Sequence, residues 1–167
     1  MSFLLSKDTV NGALGTAYMT VNGQQVELIG FKNVQTLASI QSGDMKCVGT
    51  NAIQDKPNGA KQTGKGNIYY GSNGSNRFRD MVLNYITTGQ ITYFDIQIDN
   101  TDPSVSMGNQ VSAYYDCHLT GDIPLSILDS EESMLNYDFN FAYSRVAMIQ
   151  KFSDPTNVGT IQTPSTT

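Results

Sequence analysis

The sequence contains no tryptophan, one histidine and two cysteines, and charged residues make up only 15% of its 167 positions. An average soluble domain carries roughly 25% charged residues. With His118 as the single histidine, a structural zinc site is nearly excluded. Cys47 and Cys117 lie far apart and form no CxxC pattern, so we expect two buried thiols rather than a disulfide. The scarcity of these residues predicts that the chain holds no metal.

Positive charge and long apolar runs are also scarce. Lys and Arg number 10 against 15 Asp and Glu, which gives a formal net charge of −5. A clamp for duplex nucleic acid concentrates Lys and Arg, so this function class is disfavoured. The opening MSFLLSKDTV is not a signal peptide, and no later apolar run approaches the roughly 20 residues of a membrane helix. We therefore expect no membrane anchor.

Catalytic constellations are missing as well. Cys117 and His118 are adjacent, so in a strand they point to opposite faces, and no second histidine could act as the base. Segment 59–66, GAKQTGKG, nearly fits the P-loop pattern but has glycine where a hydroxyl should bind magnesium. Asp99 and Asp102 lack the spacing of an EF-hand, which favours a solvated turn. We expect neither enzyme activity nor a cofactor.

What is present is strand-forming sequence around one helix. Residues 16–29 are two β-rich runs around Asn22-Gly23, a pair typical of a type I′ hairpin turn. Residues 31–41 alternate between apolar and polar side chains, and a short strand through 46–49 is expected to pair back onto them. Residues 131–145 alternate most clearly, with one apolar and aromatic face: Leu135, Tyr137, Phe139, Phe141 and Tyr143. The pattern predicts a mainly β, antiparallel sandwich or partly closed barrel with one flanking α-helix.

The helix is predicted at about residues 76–88, capped by Ser75 or Asn76 and closed by Gly89. Its apolar positions follow helical spacing and predict a stripe that faces the core: Phe78, Met81, Val82, Tyr85 and Ile86.

The weakly patterned ends predict a flexible arm over residues 1–12 and a flexible tail over 153–167, around a single domain at 13–152. Residues 50–66 hold three of the ten cations and almost no apolar residues, which predicts a long functional loop.

In order and spacing, these features resemble the tail tube proteins of PBSX-type phages and related contractile, phage-tail-like particles. The similar segments cover roughly residues 12–152: AYMTVNGQQVELIGFKNVQ, KQTGKGNIYY, FRDMVLNYITTG followed by YFDIQI, and DPSVSMGNQVSAYYDCHLTGDIPLSILDSEESMLNYDFNF. The resemblance implies hexameric rings that stack into a hollow tube, with strands of all six subunits lining the lumen. Bacteriocins of this type are tail-derived particles, so the resemblance fits both a phage tail and a bacteriocin.

The resemblance also implies partners and a location. The partners are further copies of the chain, a sheath protein, a baseplate or tube initiator and a tape-measure protein, with DNA as lumen cargo only in a phage. The protein would be made in the bacterial cytoplasm and assembled into a virion tail or a released tail-like particle.

Two sets of residues are candidates for a role in such a tube. The first set is polar, and we expect it to face the lumen, with outside solvent as the equal alternative: Asn33, Gln35, Ser39, Gln41, Glu132, Asn136, Asp138 and Asn140. The second set belongs to the cationic 50–66 segment, which by resemblance reaches toward the next ring: Lys56, Pro57, Asn58, Gly59, Lys61 and Lys65. Because a lumen that passes DNA should repel phosphate weakly, acidic and neutral residues are expected there rather than lysine.

Two other interpretations remain open. A tube protein of type VI secretion has a related fold and would show similar patterns. A monomeric β-sandwich module that binds carbohydrate or peptide is the alternative from another class, although the absence of tryptophan disfavours an aromatic binding platform. Self-association distinguishes the tube proteins from a monomeric module.

Overall fold

A computed structural model describes residues 2–160, and most of its secondary structure is β. In that range the chain forms one α-helix, α1 (Asn73–Thr88), and two 3-10 turns, Ser6–Asp8 and Gly12–Leu14. The strands are β1 (Ser2–Leu4), β2 (Thr16–Val21), β3 (Gln24–Glu27), β4 (Phe31–Lys46), β5 (Ile53–Tyr69), β6 (Phe94–Asn100), β7 (Gln110–Thr120), β8 (Asn136–Ala142), β9 (Arg145–Gln150) and β10 (Val158–Thr160). The predicted mainly β class with antiparallel pairing and one helix is confirmed.

The described residues fall into two compact units. The terminal unit comprises 2–28, 94–115 and 145–160, and the ribbon unit comprises 29–93 and 116–144. Strand β7 contributes its first half to the terminal unit and its second half to the ribbon unit, with the boundary at Asp116, whose φ is 55°. The prediction of one domain over 13–152 stays a prediction.

In the terminal unit, β2 pairs with both β3 and β6, and the first half of β7 pairs with β9. The turn between β2 and β3 has positive φ at Asn22 (50°) and Gly23 (80°), as a type I′ turn requires. Met19 and Ile96 are opposite each other on β2 and β6, and both are buried. The predicted hairpin is confirmed, and its inward side chains form this unit's core.

The two ends of the described chain are anchored in the terminal unit. Strand β1 pairs with β10, and the ring of Phe3 lies against Gly159 so closely that a Cβ there would overlap it. The Asp8 carboxylate is fully buried and accepts hydrogen bonds from the backbone N and the Oγ of Ser106, both at 2.9 Å. The flexible arm predicted at 1–12 is therefore wrong for residues 2–12. The tail predicted at 153–167 is paired at 158–160, and its remainder, 161–167, lies outside the described residues.

The ribbon unit is built on β4 and β5, which pair along nearly their whole length. Strand β5 also pairs with β8, and β8 pairs with the second half of β7. Helix α1 packs on one face of these strands through Phe78, whose ring centroid lies 4.9 Å from that of Phe139 and 6.4 Å from that of Phe31. The predicted apolar and aromatic face of residues 131–145 is confirmed for Tyr137, Phe139, Phe141 and Tyr143, which are all buried, whereas Leu135 is half-buried.

The long loop predicted at residues 50–66 is wrong. Apart from the short connection between the strands, this segment lies in β5, and β4 continues through Lys46 without a separate strand at 46–49. The segment lacks apolar alternation because its outer part has neither face against a core. Its inner part pairs with β4 on one side and with β8 on the other. Cross-strand hydrogen bonds therefore order a segment whose composition gives no strand signal.

Two bulges interrupt the pairing of β4 with β5. The register shifts between Phe31 and Asn33 and again between Gln41 and Ser42, which leaves Lys32 in β4 and Asn58 in β5 as extra residues. A bulge of this kind bends the strand and increases its local twist.

Helix α1 begins three residues earlier than predicted. Its N-cap is Ser72, whose Oγ accepts a hydrogen bond from the backbone N of Ser75 at 3.2 Å. Ser75, one predicted cap, is instead buried, and its Oγ accepts a hydrogen bond from the Tyr137 hydroxyl at 3.0 Å. Gly89 closes the helix as predicted, with φ 73°.

The predicted core-facing stripe holds only in the first half of α1. Phe78 is fully buried, but Tyr85 is 52% and Ile86 66% exposed. Helical spacing predicts which side chains share a face, whereas burial also requires a neighbouring element, and the described residues provide none for the last two turns.

Candidate lumen face and assembly surface

One face of the ribbon unit's sheet carries amide, hydroxyl and charged side chains. Cross-strand partners project to the same side of a sheet, so the register defines its members. On β4 and β5, Gln35 is opposite Lys65 and Ser39 is opposite Lys61. The polar residues on this face are Asn33, Gln35, Ser39 and Gln41 on β4, Lys61, Thr63, Lys65 and Asn67 on β5, and Asn136, Asp138 and Asn140 on β8. The same register places Leu37 and Tyr69 on this side as well.

Asn67 joins the three strands at the centre of the polar face. Its backbone N donates to Asn33 Oδ1 at 3.1 Å. Its side-chain Nδ2 donates to Asn136 Oδ1 at 3.0 Å and to Asp138 Oδ1 at 2.9 Å. These hydrogen bonds hold the polar side chains of β4 and β8 in fixed positions around β5.

An open groove of about 420 Å³ runs over the same side chains and is lined by Asn33, Gln35, Lys65, Asp138 and Asn140. Helix α1 and the buried phenylalanine rings occupy the opposite face of the strands. All five of the polar groove residues are exposed. The sheet thus has a hydrophobic core on one face and a hydrated polar surface on the other.

The structure brings together seven of the eight residues predicted to face the lumen. The exception is Glu132, which precedes β8 and belongs to no strand, because the ladder begins at Asn136 rather than at 131. Whether the polar face lines a lumen remains a prediction at this point.

The six residues predicted to form a stacking loop all lie in β5, so the loop they were assigned to does not exist. Lys61 and Lys65 lie on the polar face, although acidic and neutral residues were predicted there rather than lysine. The period-2 spacing of Lys61, Thr63, Lys65 and Asn67 is the signal that could have identified this part of the strand. A contact of these residues with a neighbouring ring stays a prediction.

The ribbon formed by β4 and β5 has an inner half that is packed against the core. Gly64 and Gly66 lie opposite Phe141 and Phe139 on β8. A Cβ on Gly66 would lie 2.8 Å from Phe139 Cζ, and one on Gly64 would overlap the Phe141 ring. The glycines that resemble a P-loop therefore make room for aromatic rings.

The outer half of this ribbon, residues 37–46 of β4 and 53–62 of β5, has no core of its own. Almost all of its side chains are exposed on both faces. Ile40 is 71% exposed, Ile53 is 57% exposed, and Val48 in the connecting turn is fully exposed. Strand β4 is also the last strand in its sheet order. This outer ribbon combines an unpaired edge with apolar side chains in water, which favours association with another chain.

A second exposed apolar region lies beside the last turns of α1. An open cavity of about 270 Å³ is lined there mainly by apolar side chains: Met81, Val82, Tyr85, Ile91, Leu119 and Ile123. Its remaining lining residues are Thr92, Thr120 and Gly121.

The residues examined for catalysis do not form a site. The ring of His118 contacts Tyr93 edge-on at 5.9 Å, and its buried Nδ1 has no hydrogen-bond partner among the described residues. Cys117 is buried as predicted, but Cys47 is exposed next to the turn of the ribbon, and no disulfide joins them. Residues 2–160 contain no group of three His, Cys, Asp or Glu placed to hold a metal ion.

The loop at Asp99 and Asp102 is not the solvated turn that was predicted. Asp102 is only 3% exposed and accepts hydrogen bonds from Ser104 and from the backbone N of Asn11 at 2.9 Å. The bonds from the Ser104 side chain and backbone, and then from Asn11, lower the pKa of Asp102. Its carboxylate is thus already bound within the terminal unit.

No helix in the described part of the chain is long and apolar enough to cross a membrane.

A family model described as phage tail tube protein matches residues 2–150. The search of curated proteins found no match.

Several solved structures share the fold. A chain in the 6-fold symmetrised baseplate of the anti-feeding prophage matches with a TM-score of 0.61 at 13% identity, over 81% of this chain and 91% of that one. A chain in the extended sheath-tube complex of the extracellular contractile injection system PVC matches with a TM-score of 0.55 at 16% identity, over 79% and 86%. A chain of the anti-feeding prophage tube-terminating cap matches with a TM-score of 0.55 at 15% identity, over 82% and 88%. At these identities the likeness establishes the fold.

Proposed function

This chain belongs to the phage tail tube protein family, and we propose that six copies close into a ring whose lumen is lined by the polar face. The family makes the chain a structural subunit of a tail tube. The ring, its order and the orientation of the polar face are the proposal. The matching chains come from a 6-fold symmetrised baseplate and a sheath-tube complex, which supports this choice of symmetry.

The outer ribbon carries the proposal. An edge strand of sixteen residues whose outer part, 37–46, has water on both faces is a hazard for a monomer. If the outer ribbon pairs with the sheet of the next subunit, the β4 edge is satisfied and Ile40 loses contact with water. Repeated head to tail around a closed rotation, the same contact produces a ring with no free edge.

The placement of α1 supports the proposed orientation. The helix lies on the opposite face of the sheet from the polar face, so a barrel of such sheets has helices outside and amides inside. The outside would then meet a contractile sheath, and the ends of the tube would meet a baseplate or initiator. A tape-measure protein would occupy the lumen during assembly, and DNA would pass through it in a phage. A released bacteriocin-like particle would use the same tube.

Negative-stain electron microscopy of the purified chain over a concentration series tests the proposal. We expect six-fold rings or hollow tubes that increase with concentration. The Ile40→Lys variant should abolish them while the free subunit stays folded, because Ile40 is exposed before assembly. Leu128→Lys is the matched control, since Leu128 is fully exposed outside the ribbon and should not affect assembly.

Equal assembly of the Ile40→Lys variant would contradict the role of the outer ribbon. A persistent monomer that requires an added tube initiator would restrict the proposal to templated assembly. A monomer that no initiator converts would favour the monomeric binding module. Rings that stack only with components of a type VI system would favour the secretion tube.

A further inference from the structure

Lysines are concentrated on one side of β5. Lys56, Lys61 and Lys65 are three of the ten cationic residues in the chain. Lys61 and Lys65 lie on the polar face through their partners on β4. Lys56 lies on the outer side of the Asn58 bulge and is opposite Gly43. By alternation on β4, Gly43 shares the face of Gln41, so Lys56 continues the same row.

The carboxylates of the ribbon lie mostly on the other side. Asp44 and Asp55 are directly opposite each other, and by alternation they project from the reverse face. The polar face itself holds one carboxylate, Asp138, against Lys56, Lys61 and Lys65. Although the chain has a net charge of −5, this face is therefore cationic.

The lysines found on this face contradict the expectation of a lumen that weakly repels phosphate. We propose instead that the lysine row on the polar face binds the phosphate backbone of duplex DNA weakly inside the assembled tube. This inference rests on the proposed orientation of the polar face toward the lumen. Lys61 and Lys65 are four residues apart, or about 13 Å along the strand, so each subunit offers cations at several heights. Amides of Gln35 and Asn140 beside them are suitable partners for phosphate oxygens.

The composition of the face favours the duplex backbone over other polyanions. Sites for single strands stack successive bases on several aromatic side chains, whereas Tyr69, opposite Asn136, is the one aromatic side chain that the register places on the β4, β5 and β8 part of the polar face. Without a base-reading helix or ribbon in a groove, the contacts carry no sequence preference. Because one subunit presents few cations, binding becomes measurable only when rings multiply the contacts.

Co-sedimentation of assembled tubes with a fluorescent linear duplex of known length tests the inference. We expect the wild-type tube to retain the duplex at low salt and release it as salt rises, because phosphate contacts depend on counterion release. The Lys61→Gln/Lys65→Gln variant should retain the duplex about fivefold less well or worse at the same salt. The matched control is Lys7→Gln/Lys151→Gln, which removes two exposed lysines of the terminal unit and should behave as wild type.

Electron microscopy of each sample distinguishes a failure of the proposed function from a failure of this inference alone. Absence of wild-type tubes would overturn the proposed function and this inference with it. Tubes that retain no duplex, or that retain it equally in the Lys61→Gln/Lys65→Gln variant, would overturn the inference alone. Equal retention of a closed-circular plasmid, which has no end to enter a lumen, would place the binding outside and overturn it. Preferential retention of poly-glutamate would identify an acidic protein cargo and would also overturn it.

Discussion

The inner and outer halves of the β4–β5 ribbon have the same backbone pairing but opposite surroundings. Against the inner half, Phe139 and Phe141 of β8 are fully buried over its glycines, and Phe78 of α1 packs on Phe139. In the outer half, Ile40 pairs with Ala60 on the ladder yet remains 71% exposed. Hydrogen bonding alone thus continues the ribbon beyond its core. The inner half is stabilised by the core of the free subunit, whereas the outer half has to be stabilised by contacts within an assembly.

Truncating one large side chain that packs on the inner half and one that belongs to the outer half should give the largest difference in stability. Phe139→Ala should lower the free energy of unfolding by about 3–5 kcal/mol, because it opens a cavity among packed rings. Ile40→Ala should change it by no more than about 0.5 kcal/mol, since the side chain is already in water. Urea denaturation of the free subunit gives both values. Similar losses would mean that the outer half is covered in the free subunit.

Adding a methyl group tests the same difference from the opposite direction. Gly64→Ala should cost about 1–3 kcal/mol, because the new Cβ would overlap the Phe141 ring. Gly43→Ala in the outer half should be neutral within about 0.5 kcal/mol, since the nearest atom to its Cβ is Asn58 Nδ2 at 3.7 Å. Thermal unfolding of the two variants is the measurement. A tolerated Gly64→Ala would show that the rings can shift.

The boundary between the halves is held by one side chain. The Tyr143 hydroxyl donates to the backbone carbonyl of Leu37 at 3.0 Å, where the outer half begins. Tyr143→Phe should cost about 1 kcal/mol and increase amide exchange in β4 beyond Leu37. The control is Tyr85→Phe, whose hydroxyl is on an exposed helix position. Unchanged exchange in β4 would assign the boundary to packing instead.

Acid should destabilise the terminal unit and leave the difference between the inner and outer halves of the ribbon unchanged. Hydrogen bonds from the Ser106 backbone, opposed by desolvation, lower the pKa of Asp8, and those from Ser104 and Asn11 lower that of Asp102. A carboxylate with a lowered folded pKa stabilises the fold above its unfolded value, near 3.8, and this contribution is lost as pH falls through the folded pKa. Amide exchange near residues 8 and 102 should therefore rise below about pH 3.8. The Asp8→Asn/Asp102→Asn variant should lack this dependence.

The sequence predicted those elements whose signal is local. Asn22-Gly23 carries its own turn geometry, and the aromatic alternation of β8 matches a strand with one buried face. Gly89 ends the helix for the same reason, since a left-handed residue is needed there. In each case the residue type itself determines the conformation.

The remaining features depend on partners distant in sequence. Strand β5 has no apolar alternation, so its order comes from β4 and β8, which the segment itself does not reveal. Tyr85 and Ile86 follow helical spacing without a covering element. Asp102 looks like a surface residue until Asn11 is placed beside it. Seven polar-face residues were predicted together because two alternating strands each identified their own members.

The two bulges have a further consequence for so long a ribbon. Without Lys32 and Asn58, a ladder of similar polar residues could slide by one position, and every side chain would change faces. Each bulge fits the pairing at one place only, so the two bulges together fix the register of β4 against β5. The bulges thus guarantee that every copy of the chain presents the same chemistry on the same side, as a repeating assembly requires.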